Sequence, residues 1–224
     1  MKLSERLKAD KEIFATLSRN DKILFAWDYY KIPILAVLCA VLLLTIGLVT
    51  GLKQQKIAMY AVFVNTAYLD VEPDGEALDA LLEAGGMDMT GKTIDVTADL
   101  SLGLANNEEY DGQTIQILAS LFGISGLDVF AADPAAFERY AVQDAFVDLS
   151  LFLEPELWEK AGCTPYSYEN ADGVTIVGGL VLPEGSVLHD AGYYYGDVVI
   201  GVAANAENLD AAILFVQQLV TAED

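Results

Sequence analysis

Between Lys31 and Lys53 the chain carries no charged residue, and Leu, Val, Ile and Ala fill most of residues 32–52. A helix of that length covers roughly 30 Å, the thickness of a bilayer core. Lys31 bounds the run on one side and Lys53 and Lys56 on the other, while Trp27, Tyr29 and Tyr30 stand where an interfacial aromatic belt belongs. Pro33 would fall in the first turn, where the missing N–H costs the helix nothing. The run therefore predicts one transmembrane helix at 32–52. It divides the chain into an N-terminal tail, 1–31, and a larger domain, 56–224.

Charge predicts which side each part occupies. The tail holds seven basic residues (Lys2, Arg6, Lys8, Lys11, Arg19, Lys22, Lys31) against five acids, whereas everything after residue 52 has five bases against 29 acids. Basic residues in short flanking segments stay on the cytoplasmic side, so the tail is expected inside and the acidic domain outside. The basic region is too long, and the apolar run exceeds the usual core, for a cleaved leader. Ala36-Val37-Leu38-Cys39 approaches a lipid-attachment box, but Leu38 stands where a small residue is required. An uncleaved signal anchor is the expectation. Leu3, Leu7, Phe14 and Leu17 recur at helical spacing among charges, as in an amphipathic helix lying on the inner leaflet, and Asn20 or Asp21 could cap a second short helix.

The formal net charge of -22 excludes nucleic acid as a partner, because such a surface repels phosphate backbones. The two cysteines, Cys39 in the apolar run and Cys163 far along the domain, offer no intramolecular disulfide. The outer domain must stand on its hydrophobic core alone. That habit, with the lack of any N-x-Ser/Thr sequon, points to a bacterial surface protein.

After residue 56 apolar periodicity alternates between two repeats. Strands are predicted at Ile57–Val64, Thr93–Ala98 and Leu127–Ala131, with helices at about Glu76–Ala84 and Gly112–Phe122 and from Asp133-Pro134 onward. The second half predicts a short helix at Pro155–Ala161, then a hairpin of Tyr166–Glu169 and Val174–Val181 around Asn170-Ala171-Asp172-Gly173. A strand at Asp197–Val202 and a closing helix at Asn208–Val220 follow. Alternating strands and helices imply an α/β fold: a three-layer domain with a mostly parallel sheet covered on both faces. Val62, Val64, Ile94, Val96, Val129, Val199 and Ile200 are expected in that sheet, packed by Leu81, Leu118, Phe137 and Phe215.

The stretch Leu127-Asp128-Val129-Phe130-Ala131-Ala132-Asp133, then Phe137 and Tyr140-Ala141, then Ala145-Phe146-Val147-Asp148-Leu149, resembles the extracellular solute-binding proteins of bacterial importers. The end of the chain, Asp197–Val202 with Asn205 and Ala211–Val216, is similar to that family's last strand and helix. The resemblance implies a non-catalytic ligand-binding module. Residues 56–224 give room for one lobe, so the resemblance implies a single-lobe, solute-binding-protein-like domain on a membrane anchor.

Other motifs lack their chemistry. Gly86–Thr93 matches a phosphate-binding P-loop, which needs a strand before it and a helix after it; here a helix precedes and a β-prone run follows. Asp70-x-Glu72-x-Asp74-Gly75 opens like a calcium loop, but Leu81 occupies the position of the bidentate Glu. One histidine, His189, supplies no Ser-His-Asp set and no zinc site. No catalytic residue, metal or cofactor is expected. In an open α/β sheet a ligand sits beyond the carboxyl ends of the parallel strands. Asn65 and Thr66 after the first strand, Asp99 and Ser101 after the second, and Asp133 after the third are the candidates. Tyr193, Tyr194 and Tyr195, with Tyr166 and Tyr168, join them as a stacking platform. Two functions fit: a module binding a small solute, or an assembly protein that docks on another membrane or cell-wall protein and binds no small molecule. The lipid bilayer is an expected partner in both.

Overall fold

The computed structural model describes residues 16, 18–52, 56–67, 75–103, 108–124 and 126–221. The chain divides into two compact units, 1–54 and 55–224.

In the first unit one helix, α1, runs without interruption over Arg19–Leu52. Thr45 Oγ1 donates to the carbonyls of Val41 (2.7 Å) and Leu42 (3.0 Å), which satisfies a hydroxyl set among apolar neighbours. Leu35, Val37, Leu38, Val41, Leu42, Leu43, Leu44 and Ile46 are all exposed. The expected transmembrane helix at 32–52 is corrected here: among the described residues no helix is long and apolar enough to cross a membrane. Because α1 starts at Arg19, Pro33 lies inside the helix and not in its first turn. The amphipathic positions Leu3, Leu7, Phe14 and Leu17 fall outside the described residues.

The second unit is a six-stranded sheet in the order β2-β1-β3-β6-β5-β4. Its elements follow the chain as β1 (Lys56–Val64), α2 (Gly75–Ala84), β2 (Lys92–Leu100), α3 (Glu108–Gly123), β3 (Val129–Ala132) and α4 (Pro134–Ala141). A 3-10 turn (Leu149–Leu151), α5 (Pro155–Lys160), β4 (Thr164–Glu169), β5 (Thr175–Leu182), α6 (Val187–Asp190), β6 (Val198–Val202) and α7 (Leu209–Thr221) complete it. β1 pairs parallel with both β2 and β3. β3–β6, β6–β5 and β5–β4 are antiparallel. The expected mostly parallel sheet is thus corrected to a mixed one. The cause is local: the Asn170–Gly173 turn joins β4 and β5 as a hairpin, and β6 then enters against β3 in the opposite sense. All seven residues expected in the sheet lie in it.

Strand alternation splits the interior into two cores, one on each face. Met59, Ala61, Phe63, Val129, Ala131, Val198, Ile200 and Val202 face one side, under α2, α5 and α7. Val62, Val64, Phe130, Ala132 and Val199 face the other, under α3 and α4. Leu81 and Phe215 pack the first core, and Leu118 and Phe137 the second. The second core is aromatic: Phe137 stacks on Phe146 with centroids 4.2 Å apart, and Phe122 stacks on Tyr140 at 4.8 Å. Gly201 lets the Phe137 ring lie on the sheet, since a Cβ there would meet the Gly178 carbonyl oxygen at 2.6 Å and Phe137 Cζ at 2.8 Å.

Candidate functional site

Three parallel strands end on the same rim of the sheet: β1 at Val64, β2 at Leu100 and β3 at Ala132. The chain leaves β1 for β2 on one side and reaches β3 on the other, so β1 and β3 flank a topological switch point, where an α/β sheet opens a crevice. Four of the candidates meet here. Asn65 adopts φ 60, a left-handed conformation that asparagine tolerates better than other non-glycine residues. This turns its amide across the rim. Nδ2 donates to the Leu102 carbonyl (2.9 Å) and to Asp133 Oδ2. Oδ1 accepts from the Leu102 N–H (2.7 Å), and the Asn65 N–H donates to the Leu100 carbonyl (3.0 Å). Thr66 is buried, with Oγ1 donating to the Ala98 carbonyl at 2.6 Å.

Asp133 is the N-cap of α4. Its Oδ1 accepts from the N–H groups of Ala135 (3.0 Å) and Ala136 (3.2 Å), ahead of Pro134 at the first helical position. With Asn65 on Oδ2, both carboxylate oxygens are engaged. Tyr194 closes the floor. Its hydroxyl lies 3.0 Å from the Val64 carbonyl and 2.9 Å from that of Ala131, one proton shared between two acceptors on neighbouring strands. Complete burial, and then the nearby charge of Asp133, pushes this phenol well above its ordinary range, so it is a fixed donor.

The rest of the tyrosine run separates. Tyr193 is buried edge-on to Phe63 (5.2 Å), and its carbonyl accepts from Ala67 N–H (2.8 Å). Tyr195 is 77% exposed. Tyr166 and Tyr168 lie on β4, where Tyr166 packs edge-on to Phe137 (5.1 Å) and Tyr168 covers Gly178. No stacking platform is assembled. Asp99 is exposed and Ser101 half-buried. The rim is thus crossed by the protein's own polar contacts.

Other parts of the domain carry cavities lined by described residues. One of about 580 Å³ is lined by Leu157, Lys160, Cys163, Ser186, Asp190 and Leu219. Two of about 420 Å³ lie by the amino ends of β1 and β2, one with Lys56, Lys92 and Asp210, the other with Tyr60, Asp95 and Asp128. Cys163 is buried, which pushes its thiol up to about 11 and leaves it unreactive at neutral pH. His189 Nε2 donates to the Gly196 carbonyl (2.9 Å), and its Nδ1 hydrogen-bonds Ser186 Oγ at 2.7 Å. The ring latches the 186–196 loop, whose tyrosines reach the rim.

Asp128, read from the sequence only as part of a strand, proves to be a buried acid. It accepts from Tyr60 N–H (2.9 Å), Asn208 N–H (2.7 Å) and Asn208 Nδ2 (3.0 Å), tying β1, β3 and α7 together. Its place between Leu127 and Val129, inside an apolar run, was the available signal. The P-loop lookalike folds as helix, turn and strand, with Gly86 and Gly91 at positive φ and Asp88 accepting from Thr90 N–H. The Thr90 hydroxyl, and then its N–H, bond this carboxylate and hold Asp88 below its ordinary range. Asp70, Glu72 and Asp74 fall outside the described residues, while Leu81 packs into the core. Among the described residues no group of His, Cys, Asp and Glu is arranged to hold a metal ion. No family model, curated protein or solved structure matches the chain.

Proposed function

We propose that the acidic domain is a non-catalytic docking module, carried at a lipid surface, which binds another membrane or cell-wall protein and holds no small solute between its strand ends. One observation carries this reading: the crevice at the switch point is bridged by Asn65, Asp133 and Leu102 and floored by the Tyr194 hydroxyl. A solute seated there must break contacts that already satisfy each other, and every buried group it frees costs about 1–3 kcal/mol. The exposed apolar side chains of α1, from Leu35 to Ile46, support the lipid surface, because water is a poor solvent for so continuous a patch.

The test is a thermal melt of the full chain in detergent against amino acids, simple sugars and short peptides. A solute bound only by the folded state adds about 2.7 kcal/mol at about 100 times its Kd, a rise of roughly 5–10 °C for a domain of this size. The docking reading expects no such rise. A solute that raises the midpoint, and loses that effect in Asn65→Ala, would show a working small-molecule site.

A further inference from the structure

The two edges of the sheet are finished differently. At the β2 edge, Asp79 of α2 accepts from Ile94 N–H (2.7 Å) and Thr93 Oγ1 (3.0 Å), so a helix side chain closes the start of that strand. At the other edge β4 pairs with β5 and, among the described residues, with no other strand. Asn170 N–H donates to the Val174 carbonyl (2.9 Å), which sets the phase of the hairpin. By antiparallel alternation the backbone groups of Tyr166 and Tyr168 then face β5, and those of Pro165, Ser167 and Glu169 face outward. Pro165 stands at an outward position, so its missing N–H takes nothing from the β4–β5 ladder. The open edge presents two N–H donors, from Ser167 and Glu169, and the carbonyls of all three residues, each of which is exposed.

The field around this edge is acidic. Glu169 lies on it, and Asp172 sits in the hairpin turn. Asp144 Oδ2 accepts from Ala171 N–H at 3.0 Å, which holds its carboxylate against the same turn. Burial first, and then the charge of Glu138 at Tyr166 and of Asp144 at Tyr168, raises these two phenols. Pairing with a second copy of this edge would set acid against acid.

We infer that the outer edge of β4 is the docking strand for an extended, Lys- and Arg-bearing segment of a partner protein. The inference rests on the docking reading and names the chemistry of its partner. Backbone hydrogen bonds to Ser167 and Glu169 supply the pairing, and the surrounding carboxylates select a cationic strand over a neutral or acidic one.

The test titrates the full chain in detergent into a fluorescein-labelled octapeptide of alternating valine and lysine, read by anisotropy. Two control peptides alternate valine with glutamate, or keep the lysines with every second amide N-methylated. The valine–lysine peptide is expected to bind, with both controls weaker by about tenfold or more. Ser167→Pro, which removes an outward donor, should weaken binding about tenfold, and Glu169→Lys, which leaves the backbone intact, several-fold. Circular dichroism checks that each variant is folded. Absence of binding overturns the inference. So does binding that ignores N-methylation and both substitutions, since charge alone then holds the peptide; the docking reading survives either result and falls only to a solute that stabilises the chain through Asn65.

Discussion

Replacing Asn65 removes the residue on which the closed rim depends, and the cost can be worked from its contacts. Asn65→Ala loses the side-chain bonds to the Leu102 carbonyl, the Leu102 N–H and Asp133, worth about 1 kcal/mol each in net terms. It also puts a β-carbon with no local hydrogen bond at φ 60, which costs roughly 1–2 kcal/mol. The sum is about 4–5 kcal/mol, a large share of the roughly 5–15 kcal/mol that holds such a domain. Asn65→Gly loses the same bonds without the backbone strain, so it should fall short of the wild type by only about 3 kcal/mol. Urea melts of the full chain, followed through the buried Trp158, read both differences. An Asn65→Ala variant within about 0.5 kcal/mol of wild type, or one more stable than Asn65→Gly, would refute the reasoning.

Tyr194→Phe should cost about 1–3 kcal/mol in the same melts, because two buried carbonyls lose the hydroxyl that donates to them. Gly201→Ala should cost about 1–3 kcal/mol by overpacking, since the added methyl meets the Gly178 carbonyl and the Phe137 ring; a neutral result would place that ring elsewhere. Stability should decline in alkali. Burial raises the Cys163 thiol from 9.0 to about 11 and raises Tyr140 and Tyr194 above 10.0. Folding favours the protonated forms, so this contribution is whole below about pH 9 and is lost as pH rises from the unfolded values through the raised folded ones. A pH series of urea midpoints that stays flat from pH 8 to pH 11 would contradict it.

The strands were legible because each is a short apolar run between polar turns, and burial on both faces leaves no other use for Ile57–Val64 or Val198–Val202. The Asp133-Pro134 pair announced its helix, and Asn170–Gly173 its hairpin. The sense of β6 was not legible. Alternation fixes which face a residue takes but says nothing about strand direction, and the loop carrying Tyr193 and Tyr194 decides how β6 enters. The apolar run at 32–52 gave the helix but not its start at Arg19, because helical periodicity continues through Trp27, Tyr29 and Tyr30 without a break. Position after a strand singled out Asn65, Thr66 and Asp133, and the fold brings them to one rim. Position could not show that they bond to one another, because that depends on the left-handed turn at Asn65 and on where Leu102 returns. Tyrosines in sequence look alike; in the fold Tyr194 is a buried donor and Tyr195 a surface ring.

Hydrogen exchange at the rim amides of the full chain tests the closed crevice most directly. Asn65, Ala67 and Leu102 each donate a backbone N–H to a partner across the rim, respectively the Leu100 carbonyl, the Tyr193 carbonyl and Asn65 Oδ1. A rim held shut by these contacts opens only with the core, so the three amides should exchange at least about a thousandfold more slowly than an unstructured chain. Small solutes should leave that protection unchanged. Exchange as fast as that of an open loop, slowed when a small solute is added, would mean that the crevice opens to bind, and the docking account would be wrong.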